Sequence, residues 1–265
     1  MFRCACVMLP YILLGFQSII SEAYHIPVVR RKDSDLNEPT VIKPVKPVTH
    51  PSAKGKITLF HGTSDWEAAN KMKTEGFDLD RYGAPAGDFH SSGAKAGYLT
   101  DSIYSAAQFV CYPPNYDKLF INTKRVYVVE FIWEGDKDTP IHEFSNDLKW
   151  KQFWNYNQRD HGGYGREMKP ADFDEIMAKT MITGPMDIHD DVNFTPNFWQ
   201  YAVIGHRNRN LKYTYSDKLQ PVRDIEVHKA LCRNVPKGKL SDEKYAEGQK
   251  SNPKFEETLV TIQKI

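Results

Sequence analysis

The sequence predicts an α+β fold on three observations. Short runs rich in β-branched and aromatic residues recur at positions 57–60, 98–100, 126–133 and 201–204. Between them lie stretches with helical spacing and recognisable ends. Hydrophobic residues make up 40% of the chain and aromatics 12%, enough for a packed core.

Residues 1–23 carry the parts of a cleavable secretory signal. Arg3 gives the positive start, and an apolar run over 7–20 is broken only by Pro10, Gly15, Gln17 and Ser18. Ser21 and Ala23 are the small residues before a cut placed after Ala23. A spanning helix would need roughly 20 predominantly apolar residues, and this run is shorter and interrupted. The expected product is therefore a secreted protein with no membrane anchor after cleavage. Residues 24–55 carry Pro27, Pro39, Pro44, Pro47 and Pro51 among Lys and Arg, without apolar periodicity. That composition predicts an extended linker or pro-segment. Arg30-Arg31 within it is either a dibasic processing site or ordinary solvated charge.

The folded domain is expected over 56–235. The strand at 57–60 ends in His61-Gly62-Thr63. A helix follows from Ser64, with Glu67 in the capping-box position, Trp66, Ala69, Met72 and Lys73 at helical spacing, and Gly76 at its close. A Gly-rich loop spans 83–97. The strand at 98–100 leads to a second helix capped by Asp101 or Ser102 and running through Ser105, Ala106, Ala107 and Phe109. The strand at 126–133 has almost no polar break. Residues 174–182 fit helix or strand equally, 201–204 read as a strand, and 211–215 as another. Residues 236–265, rich in Lys and Glu, are expected to be a loosely packed tail.

Charge and cysteine content narrow the function classes. Basic and acidic side chains number 35 and 34, which argues against a nucleic-acid binder working through a general electrostatic field. Cys111 and Cys232 remain after signal removal. In an oxidising compartment they most simply form one disulfide, the alternative being two buried thiols. Neither has a Cys or His at metal-ligand spacing. His142-Glu143 and His189-Asp190-Asp191 read as solvated surface, so no metal site is expected. Asn193-Phe194-Thr195 is a glycosylation sequon, followed by Pro196.

Three local features remain. These are His61-Gly62-Thr63 at a strand end before a capped helix; Gly97-Tyr98-Leu99-Thr100-Asp101 before a helix with Ser105, Ala106, Ala107 and Phe109; and Phe198-Trp199-Gln200-Tyr201-Ala202-Val203-Ile204. In this order and spacing, over roughly residues 57–215, the chain resembles the ADP-ribosyltransferase superfamily, in its diphtheria-toxin-like and poly-ADP-ribose-polymerase-like branch. That branch is marked by His, Tyr and Glu on three separate strands. The resemblance implies split antiparallel β-sheets forming an NAD cleft, flanked by short helices, with NAD as substrate. It further implies that His61 bonds the adenosine ribose and that Gly62 offers its backbone to the carboxamide, where a glycine admits close approach. Tyr98 would stack on the nicotinamide, and Phe109 would cover its other face. A loop such as 160–166 would meet the protein substrate.

Two positions depart from the family pattern. Ala106 stands where a Ser often bonds the carboxamide, and adjacent Ser105 should face elsewhere. Gln200 stands where the family has Glu. Its amide can orient a ribose hydroxyl, but it lacks the charge that stabilises an oxocarbenium-like ribose. The expected function is a secreted, toxin- or effector-like mono-ADP-ribosyltransferase, monomeric, acting on an unknown acceptor protein, with His61, Tyr98 and Gln200 as the catalytic set. The alternatives are an NAD glycohydrolase, a non-catalytic module that binds NAD, ADP-ribose or a protein, and a plain extracellular structural domain.

Overall fold

The computed structural model describes residues 48–84, 87–89, 94–112, 124–145, 148–157, 168–186, 197–205 and 217–250. The signal segment, Arg30-Arg31, the loop at 160–166, His189-Asp190-Asp191, the sequon at Asn193 and the strand expected at 211–215 lie outside them.

The described residues form an α+β fold of two open, mainly antiparallel sheets. The first sheet is built on β3 (Arg125–Glu134), which pairs antiparallel with β1 (Lys56–Thr63) along its length. On its other edge β7 (Leu219–Pro221) and β8 (His228–Leu231) lie end to end. The second sheet has the order β2 (Lys95–Leu99), β6 (Trp199–Gly205), β5 (Met181–Pro185), β4 (Ile141–Glu143), and only the last pair is parallel. An isolated bridge between Phe60 and Thr100 joins the sheets.

Side-chain alternation assigns the faces. Leu59, Phe131 and Trp133 from the first sheet meet Leu99, Met181, Tyr201 and Val203 from the second, with Ala69 and Met72 of α1 (Trp66–Glu75). The opposite face of the first sheet carries Phe60, Val126 and Val128 against Ala106 and Ala107 of α3 (Ile103–Cys111), which follows the one-turn helix α2 (Leu79–Tyr82). The opposite face of the second sheet carries Ala96, Ile182, Ala202 and Ile204. They pack on Trp150 and Phe153 of α4 (Leu148–Asn157) and on Phe173 and Ile176 of α5 (Pro170–Met177).

Local chemistry accounts for several boundaries. The α1 helix starts one residue later than Ser64 predicts, because Asp65 is its cap. Its Oδ1 accepts from the N–H groups of Glu67 (2.8 Å) and Ala68 (3.2 Å). A carboxylate serves better than a hydroxyl here, since it also complements the helix dipole. Gly76 closes the helix at φ 96°, donating to the Met72 carbonyl. The ambiguous stretch 174–182 is divided, with Pro170 at the start of α5 and the chain turning into β5 at Met181.

Both ends of the described chain differ from expectation. Residues 48–55, expected as linker, are packed on the domain. The Ala53 carbonyl accepts from Trp133 Nε1 (2.6 Å), its N–H donates to Glu143 Oε1 (2.8 Å), and the Pro51 carbonyl accepts from the Tyr201 hydroxyl (2.7 Å). The His50 ring stacks on Trp199, with centroids 4.4 Å apart. Glu143 is exposed, as expected, and also anchors this strap, while the half-buried His142 sets its ring edge-on to Phe144 at 4.3 Å. The stretch expected as a loose tail contains α6 (Asp242–Gly248), capped by Ser241, and its Tyr245 is completely buried. Carbonyls and a single aromatic do this work, so no apolar period announces it. The Cys111–Cys232 disulfide ties the end of α3 to the turn after β8, 121 residues apart.

Two stability measurements test this account. In the chain-entropy picture a loop of this size gives about 4–5 kcal/mol, so replacing both cysteines by Ser should lower unfolding free energy by roughly 3–5 kcal/mol in urea titrations; a change below about 1 kcal/mol contradicts it. A chain beginning at Lys54 leaves Trp133 Nε1 and the Tyr201 hydroxyl without these acceptors, at about 1–3 kcal/mol each. It should melt roughly 5–10 °C below one beginning at Val48, and equal melting temperatures would show that the strap contributes nothing.

Candidate functional site

The site is built where the two sheets part. Phe60 and Thr100 exchange both backbone hydrogen bonds, at 2.8 and 3.0 Å. If that antiparallel ladder continued, Gly62 would next face Tyr98. Instead the His61 ring enters the gap and its Nδ1 lies 2.8 Å from the Tyr98 carbonyl oxygen. A carbonyl only accepts, so Nδ1 carries the proton and Nε2 of the neutral ring keeps its lone pair. Burial holds the imidazole pKa below its ordinary 6.5, with the Tyr98 carbonyl opposing in part. Phe77 packs edge-on against the ring at 4.9 Å.

Strand geometry directs the neighbouring groups. Backbone polar groups two residues apart in a strand point the same way, so Gly62 N–H and C=O turn toward β2, as those of Phe60 do. Gly62 must be glycine, because a methyl group there would collide with the Ala106 carbonyl of α3. Paired residues share a face, so Tyr98 stands on the same side as Thr100, Phe60 and Gly62. Gln200 lies two residues from Ala202, the partner of Tyr98, and faces that side as well. Phe198 is two residues further back. The half-exposed Phe109 of α3 sits against it with ring centroids 6.4 Å apart. Gly62, Tyr98, Gln200 and Phe109 are thereby gathered on one continuous face along the gap, and His61 enters the gap as a wedge. Ala106 presents its carbonyl to Gly62 and packs its methyl in the α3 core. Ser105 is fully buried.

A further group stands beside them. Residues 87–89, part of the Gly-rich stretch, cross this face between α2 and β2. The Phe89 N–H donates to the Tyr98 hydroxyl (2.9 Å), and the Phe89 ring lies nearly parallel to the phenol. The Gly87 carbonyl accepts from Asn157 Nδ2. Asp88 accepts from Gln200 Nε2 at 2.7 Å and from Trp154 Nε1 at 3.2 Å. The Tyr98 phenol pKa is pushed well above its usual value, first by burial and then by the Asp88 charge. Reading the sequence passed over Asp88, Trp154 and Asn157. Their only local signal is an acid set between Gly87 and Phe89, and α4 comes from 60 residues further along the chain.

Glu143 and Glu226 are not at the Gln200 position. Glu143 holds Ser52 and Ala53. Glu226 is largely exposed, 3.7 Å from Lys73. No protein-family model matches the chain, and no curated protein matches it.

The His61 arrangement makes a pH prediction. Its folded pKa is depressed, so the unfolded chain takes up the proton first as pH falls. This group therefore adds nothing to the pH dependence well above 6.5 and destabilises the fold progressively below it. His61→Gln should flatten the loss of unfolding free energy between about pH 6.5 and 5. An unchanged slope in urea titrations across that range would contradict the buried neutral imidazole.

Proposed function

We propose that the protein is a secreted mono-ADP-ribosyltransferase that cleaves NAD and transfers ADP-ribose to a protein. The observation that carries this reading is the gap between β1 and β2, opened by His61 and bordered by Gly62, Tyr98, Gln200 and Phe109. Those residues stand at the motif positions that suggested the superfamily, with Gln200 in place of its Glu, and two open, mainly antiparallel sheets suit its split architecture. The apolar start of the chain and the Cys111–Cys232 disulfide support secretion.

The chemistry follows from these groups. Gly62 N–H and C=O can pair with a carboxamide, and the Tyr98 and Phe109 rings can bracket a flat nicotinamide. His61 Nε2 can accept from a ribose hydroxyl. Cleavage breaks the C1′–N bond of the nicotinamide riboside, and its electron pair leaves with nicotinamide. An acceptor side chain or water then forms the new bond to C1′ and loses its proton. Extending a polymer would require activating a ribose hydroxyl, a weak nucleophile without a nearby base. Single transfer is therefore expected.

The test uses the chain from Tyr24 onward, with its disulfide intact, and NAD labelled in the adenylate, alone and with cell lysate. Single ADP-ribose units on a lysate protein are expected. Free nicotinamide without labelled protein would replace transfer by hydrolysis, and NAD binding without turnover would make the domain a non-catalytic binder. Long polymers contradict the role given to Gln200. Absence of NAD binding overturns the reading.

A further inference from the structure

We propose that Asp88 is the carboxylate of this site, supplying from a loop the negative charge that Gln200 lacks. The inference rests on the NAD-cleaving reading above and deepens it. Its basis is placement. Among the described residues, the Asp88 carboxylate accepts from donors on two different elements, Gln200 Nε2 of β6 at 2.7 Å and Trp154 Nε1 of α4 at 3.2 Å. The residues on either side are pinned too, Phe89 N–H by the Tyr98 hydroxyl and the Gly87 carbonyl by Asn157. Three consecutive residues are thus held by side chains of β2, β6 and α4, so the carboxylate is oriented rather than trailing in solvent.

The site chemistry needs such a group. A ribose losing nicotinamide develops positive charge at C1′, which a nearby carboxylate stabilises. An amide cannot do this, but it can hold a carboxylate in position and turn its oxygen to a ribose hydroxyl. Gln200 and Asp88 together present the acceptor and the charge that a single glutamate would combine. The charge of Asp88 already reaches the Tyr98 ring, where it adds to burial in keeping the phenol protonated. In the transfer step the C1′–N bond breaks and its electron pair departs with nicotinamide. The acceptor O–H or N–H attacks C1′, and its proton passes to solvent, while Asp88 stays ionised and stabilises the charge at C1′.

This assignment reverses the effect expected of restoring glutamate. In Gln200→Glu a second carboxylate would meet Asp88 at hydrogen-bonding distance, and the two would share one proton. The reciprocal exchange, Asp88→Asn with Gln200→Glu, restores one donor and one carboxylate with their places swapped. The experiment measures NAD turnover and NAD affinity in the wild type, D88N, Q200E and the double variant, each checked by near-UV circular dichroism. D88N is expected to lose roughly 100-fold in kcat with NAD affinity within about threefold. Q200E should fall below the wild type, and the double variant should recover at least about tenfold over D88N. The acidic limb of the wild-type kcat profile should vanish in D88N. Wild-type turnover in D88N, a gain in Q200E, or no recovery in the double variant overturns the assignment. If the wild type binds NAD without cleaving it, Asp88 is not catalytic but the binding reading stands; if it does not bind NAD, both fail.

Discussion

A single interaction sets the form of the molecule: the His61 imidazole bonded to the Tyr98 carbonyl, one step beyond the Phe60–Thr100 bridge. A continued ladder between β1 and β2 would merge two sheets into one and pair Gly62 with Tyr98. A side chain in place of the next backbone bond satisfies the carbonyl while holding the strands apart. The gap therefore costs no buried unsatisfied acceptor at Tyr98, which would otherwise be about 1–3 kcal/mol. Gly62 lets α3 lie close over the same place, since any larger residue would strike the Ala106 carbonyl.

The two ends of the described chain are held by a second device. Asp101, directly after the bridging Thr100, is 1% exposed. Its carboxylate accepts from His50 Nδ1 (2.9 Å), the Tyr245 hydroxyl (2.5 Å) and Gln249 Nε2 (2.7 Å). Burying an isolated carboxylate is expensive, and hydrogen bonds on both oxygens are what make it tolerable. One acid thus joins the strap at 48–55, helix α6 and the end of β2. The strap in turn occupies Trp133 Nε1 and the Tyr201 hydroxyl, donors that would be stranded in the core between the sheets.

Much of the site could be read locally. His61, Gly62 and Tyr98 occur in short patterns that combine a strand, a turn and a helix cap, and Phe109 follows at a spacing one helix fixes. Gln200 was legible as a residue but not as half of a pair. Its partner Asp88 lies 112 positions away in a loop whose composition marks only irregular structure. The donors that hold that loop, Trp154 and Asn157, look in the sequence like residues of any amphipathic helix.

By itself the sequence determined the strands β1, β3 and β6 and the helices α1 and α3, since β-branched runs, caps and closing glycines act over a few residues. It also determined the α+β class and the availability of Cys111 and Cys232 for a disulfide. Tertiary structure alone decided that 48–55 and 242–248 belong to the folded body, because backbone carbonyls and one buried acid have no periodic signature. It also decided that β1 and β2 part after one bridge, and that Asp88 comes to rest against Gln200. These outcomes depend on hydrogen bonds closed across 37 to 150 residues. Such long-range pairs form only when the packed sheets bring their partners together.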